Sequence, residues 1–340
     1  MARSLAAPAV EPPCAGSRGL RRYTSRPSES PRSALRVSDR PDAAPLLDFD
    51  FVDAALPWRS GCSWLGGARR EAWMSDRPLE AGSIGAGVLR RSAGAWAVLG
   101  LHRPMAGGDV AAESEAAYRD LLAAARPSAH PFLIRIWNYF GAINAGDGDS
   151  ERYRRFCVGR NAAVDAMFRD PPPAATAIGA PDPGAPLSVV ALCSAQPAIA
   201  LENPRQTPAW QYPREYGPVP PGFSRGAVLC DGDGATLLAS GTASIVGHVS
   251  LHAGDVVAQL DESLANLHVL LDEGSQRSGE RFRMEGLQAL RVYVREAAAL
   301  PAVQERLEAA GLPLARVAFL QGDVCRRELD VELEGVFAGS

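Results

Sequence analysis

Alternation of apolar and polar positions is clearest near the C-terminus, where Leu329, Val331 and Leu333 interleave with Asp330, Glu332 and Glu334. A period of two puts the apolar side chains on one face and both glutamates on the other. The plain reading of that second face is solvent, where strand carboxylates usually lie. The alternative is a face on which a carboxyl group does chemistry.

The same patterning predicts the other elements. A hairpin is expected from 84–91 and 96–102, turned at Ser92-Ala93-Gly94. Ala112, Ala116, Leu121 and Leu122 form an apolar stripe behind Asp109, a good N-cap, and predict a helix up to Ala125 before Pro127. Residues 132–140, β-branched and aromatic, read as a strand. A second helix from about 149 to 168 stops at Pro171-Pro172-Pro173. Strands at 174–179 and 187–193 complete a half of order ββαβαββ.

The second half repeats that order, with strands at 226–230 and 235–246 and a helix over 255–272. Val256, Leu260, Leu264, Leu267 and Leu271 share one face of that helix. A strand at 289–295, a helix at 302–310 ended by Gly311, and strands at 316–321 and 329–337 follow. The expected fold class is α+β, two such units packed together. Residues 1–45, rich in Ala, Pro, Ser and Arg, are expected to be a disordered arm; 46–195 and 226–340 are the two domains, joined by a connector at 196–225.

Composition narrows the function classes. The chain has 340 residues, 46% hydrophobic and 22% charged, with a net charge of -4 that gives no electrostatic case for nucleic acid or anionic membrane as partner. No run approaches the roughly 18 apolar residues of a membrane span, and no apolar secretion segment opens the chain, so a cytoplasmic protein is expected. The six cysteines are scattered, with no C-x-x-C and no close pairing with the five histidines, so neither disulfides nor structural zinc is expected. His248 and His252 lie four apart but lack an acidic ligand set. All 35 basic residues are arginine, which excludes Schiff-base chemistry on lysine.

The connector is unusual for a linker: Asn203-Pro204-Arg205-Gln206, then Tyr212-Pro213-Arg214-Glu215-Tyr216, then Phe223-Ser224-Arg225. Flexible linkers are small and polar. Planar guanidinium groups beside aromatic rings suit a small cyclic acid; a structural linker whose arginines cap carbonyls is equally open.

Several stretches together resemble the chorismatases, enzymes that cleave chorismate and release pyruvate. They are Arg135-Ile136-Trp137-Asn138-Tyr139, Glu151-Arg152-Tyr153 with Phe156-Cys157-Val158-Gly159-Arg160, and the connector motifs. Ser240-Gly241-Thr242-Ala243-Ser244-Ile245-Val246-Gly247-His248 and Cys325-Arg326 with Val331-Glu332 complete the set, which covers roughly 130–340. The C-terminal half also resembles the RidA/YjgF-like fold. The resemblance implies two such halves in one chain, a cleft between them, a monomer, no cofactor and no metal.

It further implies Glu332 as the catalytic acid, with Glu334 as the alternative, and Arg160, Arg205 and Arg214 as carboxylate binders beside Tyr212 and Tyr216. Protonating the enol carbon of chorismate weakens the ether, which calls for a neutral carboxylic acid. Cys325 matches the cysteine of the branch that gives 3-hydroxybenzoate, with some 4-hydroxybenzoate. Ala243 stands where that branch is expected to have glycine, which keeps open the branch giving a dihydroxycyclohexadiene carboxylate. Other readings are a RidA-like enamine or imine deaminase and a non-catalytic sensor of an aromatic acid.

Overall fold

The structure, a computed structural model, describes residues 35–52, 58–105, 109–231 and 234–340. The arm expected at 1–45 therefore lies outside the described residues as far as 34. Its end is ordered: Leu35–Ser38 pairs antiparallel with Arg70–Ser75, which also pairs with Leu47–Asp50.

Both halves build their main sheet in one spatial order. In the N-terminal half the hairpin Val88–Ala93 and Trp96–Arg103 is followed across the sheet by Leu187–Ser194, Phe132–Gly141 and Ala174–Ala180. In the C-terminal half the hairpin Gly226–Asp231 and Gly234–Ala243 is followed by Val331–Ala338, Leu287–Val294 and Val317–Gln321. The last two strands run parallel in each half. A parallel pair needs a crossover, supplied by the helices Arg152–Ala163 and Leu300–Ala309. The strand last in sequence thus lies at the centre of its sheet.

Two segments depart from the expected boundaries. Ser63–Gly67 pairs with Val317–Gln321, and Ile199–Leu201 of the connector pairs with Gly226–Asp231, so both extend the C-terminal sheet. The halves are laced together from the start of the chain.

The layers are helix, sheet, sheet, helix. Val189, Ala191 and Cys193 face the N-terminal helices, and Val331, Leu333 and Phe337 face the C-terminal ones. Between the sheets lies a third core, in which Trp137, Tyr139, Val190, Leu192, Leu238, Tyr293 and Val336 meet Phe49 and Trp73. Helix Val110–Ala125 is capped by Asp109, which accepts the Ala111 N–H. It packs so closely on Arg152–Ala163 that a Cβ on Gly159 would stand 1.9 Å from the Ala111 carbonyl oxygen.

The helix expected to run to 168 is broken. Val164 is extended, at φ -79° and ψ 141°, and Asp165 caps a separate turn, Ala166–Arg169, by accepting the Phe168 N–H. The long C-terminal helix instead outruns its expected end, spanning Val256–Ser278 before Gly279 takes φ +80°. Cys62, Cys157, Cys193 and Cys325 are free thiols, whereas Cys230 is disulfide-bonded, against the expectation from spacing. Among the described residues no helix is long and apolar enough to cross a membrane.

Candidate active site

The face of Val331–Ala338 opposite its helix-packed side chains is neither solvent nor core hydrocarbon alone. It is the interface between the sheets, where Glu332 and Glu334 are 5% and 4% exposed. Both carboxyl groups are therefore out of water, an expensive arrangement unless each is paired or protonated. The two residues meet that demand differently.

Glu334 is paired. Its Oε2 accepts from Arg135 Nη2 at 2.5 Å, and its Oε1 accepts from the Tyr293 hydroxyl at 2.9 Å with Arg291 Nη1 at 3.0 Å. Arg291 in turn makes a two-pronged bond to Glu71, 2.8 Å on each side, and donates to the Tyr139 hydroxyl at 2.9 Å. Burial alone would raise the Glu334 pKa, but Arg291 and Arg135, helped by Thr176 and Tyr293, outweigh it and hold Glu334 below the ordinary carboxylate range.

Glu332 makes no ion pair among the described residues, and its surroundings favour the neutral acid. Burial first, then the negative charge of Glu334, push its pKa up to about 8, against a partial pull downward from Arg135 and Arg225. In the ladder it lies opposite Ala243 on one side and Tyr293 on the other. Its carboxyl group rests on the backbone of Gly241, where an added Cβ would stand 1.9 Å from Glu332 Oε1. Gly241 is fixed in turn by its N–H, which donates to Thr176 Oγ1 at 2.9 Å.

Glu332 opens onto a cavity of about 410 Å³ between the halves. The N-terminal half contributes Tyr153, Arg160 and Thr176; the C-terminal half contributes Gly241, Ala243, Cys325 and Arg326; the connector contributes Tyr212, Tyr216, Phe223 and Arg225. Cys325 is half-buried, and burial followed by the Glu332 charge pushes its thiol up to about 12, so it enters the site as S–H rather than thiolate.

Of the residues named from the sequence, Glu332, Cys325, Arg160, Tyr212, Tyr216 and Ala243 line this cavity. Arg205 and Arg214 do not. Arg205 donates to Asn266 Oδ1 at 2.7 Å and pairs with Glu262, and Arg214 makes a two-pronged bond to Asp149 on the surface. An arginine already neutralised by a carboxylate of the fold has little left to offer a ligand.

Five arginines line the cavity; Arg154 and Arg327 are likewise paired, with Glu151 and Asp147, but the other three are in the opposite condition. Arg160 Nη2, Arg225 Nε and Arg326 Nη2 are buried without a hydrogen-bond partner. Their side-chain hydrogen bonds go to neutral groups, although Arg225 also lies close enough to Glu202 to offset part of the rise that burial gives that carboxyl's pKa. Arg160 lies over Phe156 and Tyr118, Arg225 donates to the Thr207 carbonyl and the Tyr212 hydroxyl, and Arg326 donates to the His248 carbonyl and Ser250 while stacking 4.1 Å above Tyr216. Buried cationic donors left open around one cavity point to an anionic ligand with several acceptor oxygens. Sequence reasoning passed over Arg225 and Arg326 as binders, although Phe223-Ser224-Arg225 and Cys325-Arg326 were in the motifs it used. Among the described residues no cluster of His, Cys, Asp or Glu is placed to hold a metal ion.

Fold and site define a two-half α+β protein with a buried acid facing a cavity that holds open arginine donors. Comparison with known proteins specifies it. The family described as "Chorismatase FkbO/Hyg5-like, N-terminal" matches residues 71–193. The chain is 39% identical over 285 residues to a chorismatase of Streptomyces rapamycinicus, covering 79% of this chain and 82% of that protein. It is 38% identical over 233 residues to a 3-hydroxybenzoate synthase of Streptomyces hygroscopicus, covering 66% of this chain and 68% of that one. A solved chorismatase structure superposes with a TM-score of 0.74 at 30% identity, over 91% of this chain and 98% of its own. The chain belongs to the chorismatase family.

Proposed function

We propose that this chain is an enzyme that cleaves the enolpyruvyl ether of chorismate, with Glu332 as general acid, and releases pyruvate and 3-hydroxybenzoate with some 4-hydroxybenzoate. One observation carries the reading: Glu332, buried with its pKa pushed up to about 8, faces a cavity in which three of the five lining arginines have open donors. Chorismate is a small cyclic dicarboxylate, and about 410 Å³ lies within the range of small-molecule sites.

In the proposed reaction Arg160, Arg225 and Arg326 hold the two carboxylates, and Tyr212, Tyr216 and Phe223 wall the ring. Glu332 delivers its proton to the enol methylene carbon, producing an oxocarbenium-like centre and weakening the ether. Water completes the cleavage to pyruvate and a dihydroxycyclohexadiene carboxylate. Loss of one ring hydroxyl as water then gives the aromatic acid, so the overall change is chorismate to hydroxybenzoate plus pyruvate. Proton transfer and water suffice for this chemistry, and it calls for no cofactor. The proposal takes the enzyme to act as a monomer in the cytoplasm.

Cys325 beside Glu332 supports the aromatic product. Ala243, directly opposite Glu332, favours a second reading, in which the reaction stops at the non-aromatic diol. Incubation with chorismate, with a pyruvate assay and chromatography of the ring product, tests both. The expected result is pyruvate with hydroxybenzoate, and in Cys325→Ala hydroxybenzoate is lost while pyruvate release continues. A sole diol from the wild type overturns the product assignment, and absence of pyruvate overturns the activity.

A further inference from the structure

The buried charges behind the cavity form a unit that the reaction itself does not use. Arg135 and Arg291 are 2% and 1% exposed, and they pair with Glu334 and Glu71, so two cations and two anions cancel in the interface. Trp73 Nε1 donates to Glu71, and the Tyr139 and Tyr293 hydroxyls bridge Arg291 to Glu334, which leaves the group well hydrogen-bonded. The elements come from both halves and from the first sheet. Simple packing of two sheets has no need of it, because the equivalent face of Leu187–Ser194 is filled by Val190 and Leu192.

The network ends beside Glu332. Glu334 is two residues along the same face of one strand, about 7 Å away, and Thr176, which accepts from Arg135, also receives the N–H of Gly241 against which the Glu332 carboxyl rests. The groups facing Glu332 from the packed elements are Glu334 and Tyr293 in its sheet, Arg135 and Thr176 from the N-terminal sheet, Tyr153 from the helix, and Arg225 and Cys325 from the connector and loop. Arg135 and Arg291 are hydrogen-bonded to Glu334 and not to Glu332, so Arg135 offsets the neighbouring negative charge at Glu332 only in part.

We propose that Glu334 is a positioning residue acting through Glu332: locked as an anion by Arg135, Arg291 and Tyr293, it supplies the fixed negative charge that keeps the neighbouring carboxyl in its acid form. This rests on the reading of Glu332 as the general acid. It assigns the second glutamate of the strand a role distinct from proton donation, and it gives the four-charge network a purpose beyond holding the halves together.

The test is the alkaline limb of the pH profile of kcat/KM, which reports the free enzyme's acid. Glu334→Gln is expected to move that limb down by about one to two on the pH scale, the size of one charge at this distance in a partly screened interior. Its rate at acidic pH should fall much less than in Glu332→Gln, and Glu334→Asp, which keeps the charge, should restore the limb. Arg135→Gln, which leaves Glu334 with Arg291 and Tyr293, is expected to move the limb up. It also serves as the independent arm if Glu334→Gln does not fold. A merely structural network would lower activity or stability without opposite displacements. Limbs unmoved in folded variants, or both moved in one direction, overturn the proposal. NMR titration of the Glu332 carboxyl, assigned by its loss in Glu332→Gln, reads the same displacements without turnover, so failure of the chorismate reading is told apart from failure of this one.

Discussion

The central strands Leu187–Ser194 and Val331–Ala338 occupy equivalent slots in the two halves, yet they present different faces to the interface between the sheets. The first is buried at every position, and its inward Val190 and Leu192 join the shared core. The second presents Glu332 and Glu334 to the same interface. Hydrocarbon in this slot is stable without help, whereas a carboxyl group there needs a counterion or a proton. Glu334 has the first and Glu332 the second. The fold holds the slot in both halves, and the chemistry comes from two residues that break the apolar pattern in one.

Substitutions sharpen that contrast in order of expected effect. Glu332→Gln keeps size but removes the proton, so turnover of chorismate should fall by roughly 10²–10⁴-fold; near-normal pyruvate release would remove Glu332 from the mechanism. The same variant carries a stability signature. The folded-state pKa of about 8 lies above the ordinary value of 4.5, so the contribution of Glu332 is fully present below about 4.5 and is lost as pH rises through about 8. Thermal unfolding of the wild type should therefore weaken between pH 5 and 8 relative to Glu332→Gln, by an amount of order 4 kcal/mol at most.

Gly241→Ala puts a methyl group into the Glu332 carboxyl position and should cost about 10²-fold in kcat/KM, as misplacement of a reacting group by an ångström does. An unchanged rate would mean that the carboxyl group has somewhere else to rest. Arg225→Lys and Arg326→Lys lose planar donors that face the cavity and should weaken kcat/KM by about 10-fold or more. The smallest effect is expected at Arg214, whose exposed pair with Asp149 makes Arg214→Ala a change within about twofold, as for other surface ion pairs. Equal effects at Arg214 and Arg225 would break the distinction between spent and open arginines.

Much of the fold was legible because periodicity is a local property. The C-terminal hairpin, the helix after Asp109 and the stripe of Val256, Leu260, Leu264, Leu267 and Leu271 follow from spacing of two or 3.6 residues. The N-terminal hairpin was found but misplaced, because residues 84–91 contain the turn between Glu80–Ile84 and Val88–Ala93, and Ser92 and Ala93 belong to the strand and not to the turn. The break at Val164 and Asp165 was missed because a capping aspartate inside a run of helix formers resembles a surface helical residue until its side chain is seen accepting the Phe168 N–H.

Long-range pairing was not legible at all. Nothing in residues 63–67 announces an edge of the sheet that also contains 317–321, since a strand's own sequence does not name its neighbour. The same limit applied to the arginines. Arg205 and Arg214 stand out in a linker rich in aromatic rings, but partners 57 and 65 residues away in the sequence neutralise them. Arg225 and Arg326 are inconspicuous in the sequence and acquire their character because, among the described residues, neither guanidinium forms an ion pair with a carboxylate.

By itself, then, the sequence determined the two α+β halves, the apolar face of Val331–Ala338 and the presence of a carboxyl pair opposite it, because each depends on neighbours within a few residues. Only the tertiary structure decided that the opposite face is an interior, that Glu334 meets two arginines while Glu332 meets the backbone of Gly241, and which cations stay open to a ligand. Burial and charge compensation are set by groups far apart in the sequence, Tyr293 to Glu334 being 41 apart, Arg135 to Glu334 199 and Glu71 to Arg291 220, and no local pattern encodes them.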